Sequence, residues 1–301
     1  MANIIAVIWD FDKTLISEYM QTPLFEEYGI DSKGFWKEVN DFPIQMKEKG
    51  IRVNSDTCYL NFLIKYAKTG IFKGLNNQKL FEYGKKLKFY AGIPEIFEKT
   101  KAIVAETKYR EYDIRVEHYI VSTGTAETIR GSKIIDYVDD IWGCELLEDN
   151  DENGNPIISE VIYALDNTSK TRALFEINKG VGKRDGVSVN SKVSEEFRRV
   201  KFENMIYIAD GPSDIPAFSL VNKGKGSTFA IYPKGDIKAF EQVEKMRRDG
   251  RINMYAEADY SENTTAHMWI CNKVKEYAER IYNSEKTKLD INTSSAPSHI
   301  T

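Results

Sequence analysis

Two pairs of aspartates stand where short apolar segments of the sequence end. Asp10 and Asp12 are separated by Phe11, and Asp210 and Asp214 lie within one short turn. On extended backbone alternate side chains point to the same side, so Asp10 and Asp12 are expected to share one face. Carboxylates placed in this way can bind a hard cation, attack as nucleophiles or transfer protons. Such a pair is also typical of a helix cap or a solvated loop, so the rest of the chain has to decide.

A hydroxyl and a lysine add to this set of reactive side chains. Ser122 and Gly124 follow the apolar segment 118–121. Lys170 falls in the first turn of a helix that the residues 166–169 are predicted to cap. A cation at this end of a helix opposes the macrodipole, at a cost of about 0.3–1 kcal/mol. Lys170 is therefore either a solvated lysine that tolerates this cost or a lysine held against an anion at the edge of a sheet.

The elements that position these residues are predicted to form a parallel sheet. The apolar segments 4–9, 118–121 and 205–209 are typical of buried strands, and helical patterns separate them. In a parallel sheet the carboxyl ends of such strands face one crevice. Further strands are predicted at 141–144, 157–164 and 228–232, the first two as the arms of a hairpin. The sequence therefore predicts an α/β fold whose reactive residues meet in that crevice.

Four carboxylates in one crevice repel one another. At a separation of about 4 Å and an effective dielectric constant of about 20, each pair costs roughly 4 kcal/mol. A hard, oxygen-liganded cation relieves that repulsion, and the few His and Cys residues argue against a softer metal. Mg²⁺ is the natural choice. A cation and a lysine beside a hydroxyl and a turn of backbone N–H groups suit a phosphoryl group.

These motifs together resemble the haloacid dehalogenase (HAD) superfamily. The D-x-D-x-T motif matches residues 10–14, Val121-Ser122 matches the second motif, and Lys170 stands where the family lysine is expected. Residues 209–214 match the fourth motif, with Ala209 where Gly is common, a change expected to be tolerated. Ser122-Thr123-Gly124 resembles the phosphoserine-phosphatase-like branch. The resemblance implies a doubly wound, Rossmann-like core with an inserted helical cap.

The resemblance also implies a role for each motif residue. Asp10 would attack phosphorus and form an aspartyl-phosphate, and Asp12 would act as general acid and then as general base. Lys170 and Ser122 would complete the catalytic set by neutralising and holding the phosphoryl group. The implied phosphate-binding residues are Phe11, Thr14, Thr123 and Gly124. The implied residues of the Mg²⁺ site are Asp10, Asp12 through its carbonyl, Asp210, and Asp214, which would orient the metal shell.

Residues 17–90 read as an all-helical insert, the implied cap, within a core formed by 1–16 and 91–282. Helical segments are predicted from Thr22 to Gly29, around Phe35–Val39 until Pro43 interrupts it, from Asn54-Ser55 to Gly70, and from Asn77 to Phe89. Most aromatic residues of this insert are expected to form its own small core. A last amphipathic helix begins near Thr264, and the segment 283–301 is predicted to be a disordered tail. Residues 181–199 are predicted to form a surface loop or insertion.

Overall composition narrows the class of protein. The chain of 301 residues has 42 basic and 46 acidic residues, which gives no reason to expect a nucleic-acid or membrane partner. Cys58, Cys144 and Cys271 are far apart, which fits neither a disulfide framework nor a zinc site and suits a reducing cytoplasm. No apolar run approaches membrane-spanning length, so a cytoplasmic protein is expected rather than a P-type ATPase, which shares the D-K-T sequence.

Several activities have to be weighed for a protein with these motifs. Asp12 argues against a dehalogenase, because cleavage of a carbon–halogen bond has no alkoxide leaving group to protonate. We expect a Mg²⁺-dependent hydrolase of a small phosphorylated metabolite. The same aspartyl-phosphate could pass to an alcohol, as in a phosphotransferase or phosphomutase, and a non-catalytic binding protein is the alternative outside enzymes. The implied cap would choose the substrate, and its polar residues Glu18, Gln21 and Arg52 lie near its hinges or helix ends.

Overall fold

The computed structural model of the protein describes residues 3–294 and contains a seven-stranded sheet. The strands are β1 (Asn3–Trp9), β2 (Ile114–Thr125), β3 (Asp140–Asn150), β4 (Pro156–Tyr163), β5 (Met205–Ala209), β6 (Ser227–Tyr232) and β7 (Met254–Glu257). Their order across the sheet is β4-β3-β2-β1-β5-β6-β7. All neighbours are parallel except β3 and β4, which form the predicted hairpin at one edge. The predicted α/β fold class is confirmed.

Eleven α-helices accompany the sheet in residues 3–294. They are α1 (Thr22–Tyr28), α2 (Ser32–Glu48), α3 (Cys58–Lys68), α4 (Asn77–Gly84), α5 (Glu95–Ile103), α6 (Thr107–Arg110), α7 (Ala126–Arg130), α8 (Lys170–Lys179), α9 (Ile215–Lys223), α10 (Ile237–Arg248) and α11 (Thr265–Ser294). Across these residues, no helix combines the length and the apolar character that a membrane crossing requires.

β1 lies at the centre of the sheet and is buried on both faces. Its side chains point alternately to the two faces of the sheet, and each face has its own apolar cluster. One cluster contains Ile4, Ala6 and Ile8, and the other contains Ile5, Val7 and Trp9. Helices α8, α9 and α10 contribute to the first cluster, and α5 and α11 to the second. Helices therefore cover both faces, as a doubly wound sheet requires.

Helices α1–α4 lie between β1 and β2 in the chain, where the helical insert was predicted. Their aromatic rings pack on one another, as predicted: the ring of Phe35 lies 4.9 Å from that of Phe25 and 5.3 Å from that of Trp36. The insert also contacts the hairpin: the backbone amide of Ile158 in β4 donates to the carbonyl of Leu75, which precedes α4, at 3.0 Å. One apolar cluster runs from the insert through the hairpin into the sheet.

The prediction that Pro43 interrupts the second helix is wrong, because α2 continues through it to Glu48. Proline has no N–H to donate to the carbonyl four residues earlier, which belongs to Val39. The thiol of Cys58, buried on α3, lies 3.7 Å from that carbonyl oxygen and 3.6 Å from the carbonyl oxygen of Ser55. A neighbouring helix thus offers the donor that Pro43 lacks.

Other predicted boundaries also differ. α3 begins at Cys58, because the Asn54 side chain accepts from the amide of Asp56 and forms a turn that delays the helix. α4 ends at Gly84, after which Phe89 pairs with Ile16 in an isolated bridge. The prediction of a disordered tail is wrong for residues 283–294, which are helical, and 295–301 lie outside the described residues. The elements α6, α7, α9, α10 and β7 were not predicted.

Candidate active site

The carboxyl ends of β1, β2 and β5 meet at the middle of the sheet, because β1 lies between the other two. Asp10 directly follows β1, and Asp210 directly follows β5. Ser122 lies in β2, two residues beyond Ile120, which pairs with Trp9 at the end of β1. The topology therefore brings these predicted site residues to one edge.

Lys170 connects two of the aspartates. Its Nζ donates to Oδ1 of Asp10 and to Oδ1 of Asp214, each at 2.7 Å. The lysine residue is only 1% exposed, so the alternative of a solvated lysine is wrong. The two carboxylates explain why a cation is tolerated in the first turn of α8. Although burial alone would lower it, the charges of Asp10 and Asp214 raise the pKa of Lys170 above its usual value.

Asp214 is held by three protein donors. Its Oδ1 accepts from the hydroxyl of Tyr207 at 2.6 Å as well as from Lys170, and its Oδ2 accepts from the hydroxyl of Ser213 at 2.8 Å. The side chain is completely buried. Its position is therefore fixed by β5, which carries Tyr207, and by α8.

Asp12 is oriented by the first residues of the insert. Its Oδ1 accepts from the backbone amide of Met20 at 2.9 Å, whereas the Asp10 carboxylate accepts from the hydroxyl of Thr14 at 3.3 Å through Oδ2. Lys13 adopts a left-handed conformation with φ of 57°, which turns the chain away from β1. Asp10 and Asp12 thus have different hydrogen-bond partners.

Residues 122–124 lie within β2 but outside its regular pairing with β3, whose register shifts between Val121 and Thr125. We call this irregular stretch the loop Ser122–Gly124, and its polar atoms are already engaged. The amide of Gly124 donates to Oγ of Ser122 at 3.0 Å, and the carbonyl of Thr123 accepts from the hydroxyl of Tyr59 at 2.8 Å. A Cβ at residue 124 would come within 2.0 Å of the Met20 side chain. A side chain at residue 124 would therefore displace the end of the Met20 side chain.

Burial and mutual repulsion raise the pKa values of the aspartates. Burial raises the pKa of Asp12 to about 8, and the charge of Asp10 adds to the effect. Burial raises the pKa of Asp210 to about 8, again with help from Asp10. Burial also raises the pKa of Asp10, to about 6, against the opposing charge of Lys170. The site therefore holds more negative potential than one lysine neutralises.

The residues present fit a divalent cation. Carboxylate oxygens of Asp10, Asp210 and Asp214 all lie within 4.8 Å of one another. Hard oxygen ligands of this kind suit Mg²⁺. Within residues 3–294, no protein donor binds the Asp210 carboxylate, which leaves its oxygens available. The Asp12 side chain is not part of this cluster.

The remaining predicted residues divide into buried and exposed ones. Phe11 and Thr14 are buried, and the Phe11 ring packs at 6.0 Å from that of Phe89. Glu18 and Arg52 are exposed. Gln21 is 6% exposed, and its Oε1 has no hydrogen-bond partner within the described residues.

Three residues that contact the site were not predicted: Met20, Tyr59 and Tyr207. These residues carry no motif. Tyr207 alone offered a signal, since it is a polar-tipped residue within an otherwise apolar strand that leads to Asp210.

Comparisons with known proteins give one sequence relative. No family model matches the chain. An uncharacterized protein of Borreliella burgdorferi is 37% identical over 286 residues, which cover 90% of this chain and 97% of that protein.

Solved structures that resemble the fold include two hydrolases. A HAD family hydrolase from Salmonella enterica subsp. enterica serovar Typhi matches with a TM-score of 0.52 and 16% identity, covering 84% of this chain and 67% of that chain. The apo form of a phosphoserine phosphatase matches with a TM-score of 0.50 and 15% identity, covering 87% of this chain and 97% of that chain. The resemblance indicated by the motifs is thereby confirmed at the level of the fold. The chain has the fold of HAD hydrolases and belongs to one family with the uncharacterized Borreliella burgdorferi protein.

Proposed function

We propose that this protein is a Mg²⁺-dependent phosphomonoester hydrolase that acts on a small phosphorylated metabolite through an aspartyl-phosphate on Asp10. The observation that carries the proposal is the arrangement at the end of β1: Lys170 binds one oxygen of the buried Asp10 carboxylate, and Asp210 and Asp214 lie beside it. A fixed carboxylate next to a lysine and a hard-cation site is suited to in-line attack on phosphorus.

Asp10 is the proposed nucleophile. Its carboxylate oxygen forms a bond to phosphorus while the bond from phosphorus to the ester oxygen breaks. Lys170 holds Oδ1 of Asp10 at 2.7 Å, so the carboxylate needs little reorientation before attack. The positive charge of Lys170 also lowers the repulsion between the carboxylate and the incoming phosphoryl group.

Asp12 is the proposed general acid and base. With its pKa raised to about 8, its carboxyl group carries a proton near neutral pH and can give it to the departing ester oxygen. The resulting carboxylate then takes a proton from water, whose oxygen attacks phosphorus and breaks the bond to Asp10. The alcohol and inorganic phosphate leave, and both aspartates return to their starting states.

Mg²⁺ would be held by Asp10, Asp210 and the carbonyl of Asp12, with Asp214 beside it, and would neutralise negative charge on the phosphoryl oxygens. Ser122 and the loop amides near Phe11 and Thr123 are proposed to hold those oxygens. The insert 17–90 is proposed to act as a cap that excludes water and selects the leaving group.

The proposal is tested with a panel of phosphorylated metabolites, measured by release of inorganic phosphate. Chelation should abolish release, Mg²⁺ should restore it, and Ca²⁺ should substitute poorly because its looser coordination misplaces Asp10. Asp10→Asn should reduce release by on the order of 10³-fold or more, because no other group is placed to form the covalent intermediate. Asp185→Asn, at an exposed position of the segment 181–199, is its matched control. Phosphate release that persists in excess chelator would overturn the metal-dependent mechanism, and product phosphorylated on an added alcohol would instead identify a phosphotransferase.

A further inference from the structure

The hydroxyl of Tyr59 links the insert to the loop Ser122–Gly124. Tyr59 lies in the first turn of α3, is 5% exposed, and donates to the carbonyl oxygen of Thr123 at 2.8 Å. The same carbonyl oxygen lies 3.2 Å from the thiol sulfur of Cys144, a weaker donor on β3. Tyr59 therefore provides the strong hydrogen bond that fixes this peptide group.

Residues just before α3 bind the turn that carries Lys170. The side-chain Nδ2 of Asn54 donates to Oδ2 of Asp166 at 2.9 Å, and the carboxylate of Asp56 accepts from the backbone amide of Asn167 at 3.2 Å. The second oxygen of Asp166 accepts from the amides of the turn itself, including that of Ser169. The start of α3 thus contacts both loops that present reactive groups.

We infer that Asn54, Asp56 and Tyr59 are positioning residues that hold the loop Ser122–Gly124 and the Asp166–Ser169 turn in register when the insert covers the site. They contact the backbone or the capping carboxylate of these loops, not the reacting atoms. The expected effect on kcat rests on the proposed function. The expected effect on the mobility of the two loops does not, and it can be measured without any activity.

Geometry explains why these contacts matter for the proposed reaction. The Thr123 carbonyl and the Gly124 amide belong to one peptide unit, so the bond from Tyr59 restricts rotation of the amide that faces Ser122. Lys170 follows the bound turn directly, and its amide donates to the carbonyl of Asp166 at 3.0 Å. Loss of either contact should loosen one loop while leaving the carboxylates of Asp10 and Asp12 in place.

The test uses Tyr59→Phe, with Tyr66→Phe as the matched control, because Tyr66 is on the same helix and its hydroxyl binds Glu38 instead of the site. Hydrogen exchange, followed by mass spectrometry, is measured in the full chain. We expect faster exchange in residues 120–126 for Tyr59→Phe and unchanged exchange there for Tyr66→Phe. Asp56→Ala should accelerate exchange in 165–171 instead, which keeps the inference testable if Tyr59→Phe fails to fold.

Kinetics supply the second readout. For a substrate found with the metabolite panel, kcat of Tyr59→Phe should fall by about tenfold with KM within about twofold, because the loop is misplaced after binding. Exchange in 120–126 that equals the wild-type rate overturns the inference, whatever the activity. A fall in kcat with unchanged exchange would place Tyr59 against the substrate instead. Absence of any phosphatase activity would overturn the proposed function and leave the exchange result to decide the inference.

Discussion

At the scale of single residues, Lys170 offsets part of the negative charge of the site. One ammonium group contacts two buried carboxylates, and both contacts are short enough to be charge-assisted hydrogen bonds. Breaking a buried ion pair by removing one partner leaves uncompensated charge, which is more costly than the pair itself is stabilising. The chemistry and the stability of this site therefore depend on the same side chain.

Replacement of Lys170 tests this dependence. Lys170→Met should reduce phosphate release by at least about 100-fold and lower the free energy of unfolding by about 3–5 kcal/mol, because Asp10 and Asp214 lose their common partner. Phosphate release and urea denaturation measure the two effects. Lys68→Met, at an exposed position of α3, is the control. A Lys170→Met protein with near-normal turnover would mean that this lysine only supports the fold.

The sequence motifs predict the reactive side chains but few of the residues that contact them. The spacing of Asp10 and Asp12 predicted that both side chains leave one side of the strand, and the ends of three strands predicted a common crevice. Of the two alternatives for Lys170, the structure has the lysine held against an anion. Met20 was not predictable in the same way, because its backbone amide binds Asp12 only after the chain has turned at Lys13. Every residue except proline has a backbone N–H, so the residue type does not reveal which amide will bind a site carboxylate.

At the scale of elements, α2 contains a proline whose missing hydrogen bond is replaced from outside. The sequence pattern alone indicated an interruption, because a proline in a helix interior usually costs about 3 kcal/mol or more. The thiol of Cys58 contacts the carbonyl of Val39, but its position depends on how α3 packs on α2. Tertiary contacts of this kind override a local propensity, and no window of sequence contains them.

A double-mutant cycle tests whether the Cys58 thiol replaces the hydrogen bond that Pro43 cannot donate to the Val39 carbonyl. Cys58→Ala should cost about 1–2 kcal/mol of unfolding free energy, because the Val39 carbonyl loses its donor and a small cavity forms. In a Pro43→Ala background the new backbone N–H can serve that carbonyl, so the same substitution should cost less by up to about 1 kcal/mol. Urea denaturation of the four proteins gives the coupling, and equal costs in both backgrounds would contradict the account.

β2 contains a buried histidine that is held neutral. Nδ1 of His118 accepts from Nε1 of Trp9 at 3.1 Å, so the proton sits on Nε2, which contacts the hydroxyl of Thr100 at 2.9 Å. Burial lowers the pKa of His118 to about 3, and the nearby charge of Lys101 acts in the same direction. The unfolded chain, with a pKa near 6.5, binds the proton far more readily.

The contribution of His118 to stability should therefore fall as the pH drops below about 6.5. Between that pH and the folded pKa of about 3, the unfolded state binds one more proton at this histidine, which lowers the free energy of unfolding by up to about 1.4 kcal/mol per pH unit. The raised pKa values of Asp10, Asp12 and Asp210 act in the opposite direction, so the contribution is isolated by comparison with His118→Asn. This variant retains an acceptor for Trp9 but cannot titrate, so its pH slope should differ from the wild-type slope by that amount. Urea denaturation between pH 4.5 and 7 measures both slopes, and identical slopes would contradict the assignment.

At the scale of the whole molecule, the insert and the sheet share one apolar core. Residues of α3 and α4, the hairpin and one face of the sheet belong to a single cluster. The continuous apolar run at residues 4–9 predicted correctly that β1 is a buried strand. The packing of the insert on β4 could not be predicted, because it joins segments far apart in the chain whose sequences read as separate amphipathic elements.

The shared core predicts cooperative unfolding of the two parts. Native-state hydrogen exchange in increasing urea should give converging free energies for peptides from α3, β1 and β5, because opening any one of them exposes the common cluster. Slow-exchanging amides in 59–67, 4–9 and 205–209 are the ones to compare. A clearly lower free energy for 59–67 would show that the insert unfolds as an independent unit.

The central claim is that Asp10 becomes phosphorylated and that Asp12 is needed to release the phosphoryl group. Acid-quenched mass spectrometry of Asp12→Asn, incubated with Mg²⁺ and a phosphoryl donor with a good leaving group, tests it most directly. Asp10 can still attack, but no group activates water, so the intermediate should persist. The account predicts one added phosphoryl group on the peptide that contains Asp10, absent when Asp10→Asn is combined with Asp12→Asn. A phosphoryl group on Ser122, or its persistence in that double variant, would contradict the account.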